Sequence, residues 1–265
     1  VHHHIIPFFD QNNHYLEKRI KKQLHFFKKK NITIIDFTWH SHLFCVNSNL
    51  NSREISYFKM NLSPLEIFRI FKKEANKLGI TVIPTLEVAC IVKTKNGENE
   101  AHILVMNENE EVIYNCNLMY ERYFPIERFF DEVPPNSLVI LAHPWRFGCG
   151  LTYYLGVEKT NEIIEKYHPM VEYNGWIYPW YYMMNEIYSW IPFVNWFEDF
   201  KNFHLLAKKN FELEGLKEYI PFWGMDTHAP HLLPGEKGYV EFEMDGKPSA
   251  QKIINLLRQG RFTPV

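Results

Sequence analysis

Side chains of metal-ligand type recur at the ends of short apolar runs in this chain, and polar stretches with helical spacing follow those runs. The runs close in Thr38-Trp39-His40, Leu86-Glu87, Ala142-His143-Pro144 and Gly224-Met225-Asp226-Thr227-His228. His2-His3-His4 stands at the start, and Ala101-His102 lies between. Imidazoles mixed with carboxylates suit zinc, iron or manganese, and barrel enzymes collect such groups at the carboxyl ends of their strands. The pattern points to an α/β barrel and to metal-dependent hydrolysis.

Strand and helix signals alternate along the whole length. Leu16, Ile20, Leu24 and Phe27 recur at helical spacing within a helix expected over Leu16 to Lys30, which ends in a solvated lysine run, Lys28 to Lys30. The β-branched run Ile32 to Thr38 reads as a buried strand. Ser63 to Leu78 is punctuated as a helix, with Pro64 near its start and Gly79 just past its end. Strands are expected over Thr81 to Glu87, His102 to Met106, Ser137 to Ala142, Met170 to Tyr173 and Ile220 to Met225. Further helices are expected over Val157 to Tyr167, Asp199 to Lys209 and Ser249 to Gln259, with Gly260 in the C′ position. Such alternation implies a mainly parallel sheet, most economically a barrel. A length of 265 residues fits a single unit of this kind, and 46% hydrophobic residues suffice for its core.

Composition removes several classes of function. A net charge of −2 gives no support for a broad nucleic-acid-binding face. No apolar run approaches the roughly 18 residues that span a bilayer. Cys45, Cys90, Cys116 and Cys149 form no C-x-x-C pair and read as free thiols of a cytoplasmic protein.

Each ligand-type residue has a plainer account when taken alone. Alone, His143 reads as a hydrogen-bonded histidine that closes its strand, and His102 as a satisfied core histidine. His40 competes with His42, since His40-Ser41-His42 is itself an H-x-H pair. Asp226 and His228, at i and i+2 on an extended segment, point the same way. Glu87 is the most telling, because a carboxylate at the end of Val82-Ile83-Pro84-Thr85-Leu86 is costly to desolvate without a cation, be it an ion, a lysine or an arginine. Taken jointly the plain accounts fail, since independent accidents would have to fall at the same end of successive strands.

The order of these motifs resembles that of the PHP family, the polymerase and histidinol phosphatase superfamily of metal-dependent phosphoesterases. The family order is H-x-H, T-D-H, a glutamate after a V-I-P-G-I-E-like strand, H-I-L, A-H-P and G-S-D-A-H. The matching residues are His2 and His4, Thr38-Trp39-His40, Val82 to Glu87, His102-Ile103-Leu104, Ala142-His143-Pro144 and Gly224 to His228. Val171-Glu172-Tyr173-Asn174 matches the E-x-x-N-like strand before the last motif. Trp39 stands where the family has aspartate. Asp10, and less well His14, matches the ligand that follows H-x-H. The segment Leu43 to Leu62 is longer than the family norm and is expected to form a loop near the site.

The resemblance implies a single domain over 1–265, a distorted (β/α)7 barrel related to the TIM barrel, holding two or three zinc, manganese or iron ions. It makes His2 and His4 native ligands rather than a tag remnant, with most of the first strand upstream of Val1. His2, His4, Glu87 and Asp226 would hold one ion. Glu87 would bridge to a second held by His102 and His143, and Asp10, His40 and His228 would bind a third. Hydrolysis of a phosphate ester by metal-activated water is the implied activity, with Glu87 and Asp226 at its centre. Arg146, in His143-Pro144-Trp145-Arg146, is placed to meet substrate phosphate or, equally, to pair with a carboxylate at the surface. The aromatic run from Trp176 to Phe197 suits packed core, a base-stacking lid or a homo-oligomer interface. The expected partner is a small phosphate ester or, in the nuclease members, a short oligonucleotide. A PHP-like scaffold that has lost catalysis and only binds partners is the remaining alternative.

Overall fold

A computed structural model describes residues 2–4, 13–41, 62–95, 97–121, 124–146, 149–174, 213, 215–224 and 240–264. It is a mixed α/β structure whose main sheet curls into a half-barrel. The sheet contains β1 (His2–His4), β2 (Ile34–His40), β3 (Thr81–Thr94), β4 (Gly97–Met106), β6 (Leu138–Leu141), β7 (Met170–Asn174) and β8 (Pro221–Gly224), hydrogen-bonded in that order. The short β5 (Phe124–Pro125) pairs with β3 off this path. A separate antiparallel pair is made by β9 (Val240–Glu241) and β10 (Thr263–Pro264).

Pairing is parallel from β1 to β3 and from β6 to β8, whereas β4 runs antiparallel to both β3 and β6. The expected strand–helix alternation therefore breaks at one place. No helix separates β3 from β4, because Thr94 already pairs with Gly97 and the two strands form an antiparallel hairpin. Glu87 does not end its strand either. β3 continues to Thr94, since Val88, Ala89, Cys90 and Val92 are also buried and the pairing with β4 extends past them.

Alternation of side chains divides the sheet between two cores. Ile35, Phe37, Trp39, Val82, Leu86, Val88, Ile103, Val105 and Val171 belong to the outer cluster, which the helices cover. There α1 (Asn13–Lys29) buries Leu16, Ile20, Leu24 and Phe27, the stripe that the heptad-like spacing anticipates. Next to it α2 (Pro64–Lys77) buries Ile67, Phe68, Phe71 and Ala75. Its start is held by a capping box, in which Ser63 N donates to Glu66 Oε2 at 2.7 Å and Glu66 N donates to Ser63 Oγ at 3.3 Å. The short helices α3 (Glu110–Tyr114), α4 (Asn117–Tyr120) and α5 (Ile126–Glu132) fill the long connection from β4 to β6, where no periodicity marked them in the sequence.

On the other face Ile83, Leu104, Met106, Leu138, Ile140, Ala142, Met170 and Phe222 form the inner cluster. It is completed by Ile253, Ile254 and Leu257 of α8 (Ala250–Arg258). Thr81 Oγ1 donates to Pro248 O at 3.4 Å, which ties the approach to α8 to the start of β3. The helix therefore closes the amino-terminal end of the strands and leaves the opposite end of the inner face for polar groups. Gly260 ends it with φ +63°, a conformation that glycine adopts at little cost. Between β6 and β7 lie α6 (Leu151–Leu155) and α7 (Val157–Tyr167), the latter matching its expected span.

Candidate metal centre

Register brings the polar residues together. His40 pairs with Glu87 across β2 and β3, and Glu87 pairs with Leu104 across β3 and β4. Because β4 is reversed, His102 near its middle returns to the carboxyl-end side of its parallel neighbours, opposite Ala89. His143 follows β6 by two residues, and Glu172 lies in the middle of β7.

Glu87 is almost fully buried and sits among three imidazoles. Its Oε1 lies 2.6 Å from His102 Nδ1 and 3.9 Å from His143 Nε2, and its Oε2 lies 3.1 Å from His40 Nδ1. The rings follow one another edge to face, with centroids 5.8 Å apart for His40 and His102 and 5.2 Å for His102 and His143. A buried carboxylate in this setting is compensated only by protons or cations held on its neighbours.

Outer carboxylates orient two of the rings. His102 Nε2 lies 2.7 Å from Glu100 Oε1, while its Nδ1 turns to Glu87. His143 Nδ1 lies 3.4 Å from Glu172 Oε2, which also accepts the His143 backbone N–H at 2.8 Å. Carboxylate support on one ring nitrogen, with the other aimed into a shared space, is the arrangement that prepares imidazoles for metal. With carboxylate oxygens at both ring nitrogens, His102 resolves the conflict by holding two protons or by giving one nitrogen to a cation. Burial pulls its pKa down, but the charge of Glu87 and the hydrogen bonds to Glu100 and Glu87 outweigh it and hold the pKa well above the usual value. For His143 burial again acts downward, and Cys149 and Glu172 overcome it to raise the pKa to about 9.

Cys149 completes the group. Ligand atoms of His102, His143 and Cys149 all lie within 4.8 Å of one another, a donor set able to hold a metal ion. Burial pushes the Cys149 thiol up, but His143 and then His102 and Arg146 bring its pKa below the ordinary value. Cys149 is a free thiol, as expected, but its place beside His102 and His143 was not foreseen. The only sequence signal was its place six residues after His143, next to Gly150.

Backbone hydrogen bonds fix the described residues on either side of Cys149. Arg146 N donates to His143 O at 2.8 Å, Gly150 N to Arg146 O at 2.8 Å and Tyr153 N to Pro144 O at 3.0 Å. His102 N donates to Cys149 O at 2.9 Å, which anchors the loop to β4. A Cβ at Gly150 would stand 2.5 Å from both Arg146 N and Pro144 O, so no larger residue fits. His143 has φ +27°, a sparsely populated backbone conformation that these hydrogen bonds and the one to Glu172 hold in place.

Of the other expected ligands, three belong to described elements. The backbone of His2 pairs with Asp36 and that of His4 with Thr38, so these histidines form part of β1 itself, in the strand beside His40. His14 lies in the first turn of α1. Asp10, His42, Asp226 and His228 lie outside the described residues, as do most of the expected 43–62 loop, the aromatic run 176–197 and the expected helix 199–209. Arg146 is close enough for its charge to be felt at both His143 and Cys149. Asp36 and Thr38, buried on the same face, hydrogen-bond to each other at 3.2 Å through Thr38 Oγ1.

No known family model matches the chain, and no curated protein is significantly similar to it. Fold and site alone define it as an α/β protein with a histidine, carboxylate and thiol cluster that can hold a metal ion. No helix among the described residues is long and apolar enough to cross a membrane.

Proposed function

We propose that this chain is a metal-dependent phosphoesterase of the PHP type, its half-barrel forming part of a distorted seven-stranded barrel. One observation carries the reading: buried Glu87 lies within 3.9 Å of His40, His102 and His143, each delivered by a different strand or strand end. A bridging carboxylate between imidazoles is what a cluster of divalent ions requires. The donors present fit zinc, iron or manganese. Glu87, His102 and His143 would hold one ion and Glu87 with His40 would reach another, with Asp10, Asp226 and His228 as further ligands. Such a donor set would allow bound ions to lower the pKa of a coordinated water towards about 7 and to offset charge on phosphoryl oxygens.

The residues of the chain supply the rest. Glu100 and Glu172 fix the His102 and His143 rings, so that the donors are preorganised. Arg146 brings a guanidinium suited to phosphate oxygens. Glu87, His143 and Glu172 are buried, which strengthens the charge interactions among them. The test is metal content by elemental analysis together with phosphate release from an aryl phosphate in zinc, manganese or iron. Glu87→Ala is expected to lose bound metal and at least about a hundredfold in rate, the scale on which removing a charge-stabilising group acts. Wild-type protein without metal or activity, or a Glu87→Ala variant unchanged in both, overturns the reading.

A nuclease or nucleotide phosphoesterase of the same type is the second reading. A cavity of about 680 Å³ beside the β3–β4 hairpin is lined by Lys93, Lys95, Lys159, Tyr153 and Tyr154, a chemistry suited to phosphates and ring systems together. Comparing short oligonucleotides with small phosphomonoesters as substrates separates the two.

A further inference from the structure

We propose that Cys149 is a thiolate ligand of the ion that His102 and His143 face, and that its sulfur makes the centre select zinc over manganese. This rests on the metal-centre part of the reading above, but not on phosphate-ester hydrolysis.

Three observations converge on it. The donor atoms of His102, His143 and Cys149 lie within one coordination sphere's reach, no pair more than 4.8 Å apart. The position of the thiol follows from built structure: the His102 N–H grips the Cys149 carbonyl at 2.9 Å, so the cysteine and the imidazole are fixed to the same residue of β4. Gly150 then lets the loop close on itself, where any side chain would strike backbone atoms 2.5 Å away. The two imidazoles present supported rings, so two nitrogens and one sulfur converge while Glu87 closes the other side.

Chemistry then sets the preference. Thiolate sulfur is a soft donor that favours zinc, and oxygen-rich sites suit manganese and magnesium. Ligation replaces the thiol proton with the ion, and the proton leaves to solvent.

Cobalt(II) substitution of the full chain, after removal of bound metal by chelation, reads this directly. Cobalt in the site gives visible d–d absorption whatever its ligands, and a near-ultraviolet sulfur-to-cobalt charge-transfer band only with thiolate. The charge-transfer band is expected in the wild type, absent in Cys149→Ser with d–d bands retained, and unchanged in a Cys116→Ser control. A wild type with d–d bands but no charge transfer, or a band that survives Cys149→Ser, overturns the thiolate ligand and leaves the metal centre standing. Absence of all cobalt bands overturns both. Where Cys149→Ser does not fold, alkylation of the wild type decides the matter: zinc is expected to slow labelling of Cys149 at least about tenfold, the lower end of what losing one supporting group costs a metal site. Equal labelling with and without zinc overturns the proposal. In Cys149→Ser that folds, the zinc-over-manganese preference measured by competition is expected to fall by about tenfold or more.

Discussion

Glu172 shows how much of the centre depends on single atoms. One oxygen, Oε2, both accepts the His143 backbone N–H and faces its Nδ1, so the same carboxylate sets a strained backbone angle and the direction of a ring. Glu172→Gln keeps the shape while removing the charge. Metal affinity is expected to fall about 10- to 100-fold, read by chelator competition, with the far-ultraviolet circular dichroism unchanged. An unaltered affinity would mean that Glu172 serves the strand end alone. Residues differed in how far their roles were legible. Glu87 was conspicuous because a carboxylate interrupts an apolar run, and that anomaly needs a physical cause wherever the strand ends. Cys149 was silent because a lone cysteine among aromatic and glycine residues carries no spacing, and its meaning comes only from a loop that folds it back against β4.

Among the elements, β2 carries most of the connection between core and centre. Its outer face sets Phe37 against Trp39 at 6.1 Å, Phe68 at 5.3 Å, Phe71 at 5.1 Å and Tyr114 at 6.3 Å, while Tyr114 Oη donates to Phe37 O at 3.0 Å. Its inner face carries Asp36, Thr38 and His40. Phe37→Ala is expected to destabilise the protein by about 3–5 kcal/mol in denaturant titration, a large share of the roughly 5–15 kcal/mol available to a domain. Its effect should reach metal binding, because the strand that loses its outer packing also positions His40. A loss under about 1 kcal/mol would contradict the packing described, being smaller than typical for a filled aromatic site. The helices α1, α2 and α7 were legible because their apolar spacing or caps are local. The hairpin of β3 and β4 was not, because an apolar run says that a strand is buried but leaves the direction of its neighbour undetermined.

For the molecule as a whole, the buried charges couple folding to protons and metal. The His143 pKa is raised and that of Cys149 lowered, each partly by the other, so their effects on stability against pH oppose each other. His102 acts in the same direction as His143. Its pKa is raised above 6.5 by Glu87 and Glu100 against the pull of burial, so the folded state keeps a proton that the unfolded state releases. That stabilisation is complete below pH 6.5 and is lost as pH climbs through the raised folded value. In chelator, the melting temperature is expected to fall as pH rises above 6.5. With zinc present the slope should reverse, since ligation needs deprotonated donors and binding stabilises only the folded form. Parallel slopes in the two conditions would deny that the cluster binds metal. By itself the sequence determined the strand and helix character of most described segments and marked Glu87 as anomalous, because periodicity, caps and a carboxylate in an apolar run are properties of short stretches. Only the tertiary structure decided that β4 runs backwards, that His102 thereby joins His40 and Glu87, and that Cys149 stands with His102 and His143. Strand direction and loop return are settled by contacts between residues far apart in the chain, and no local pattern records them.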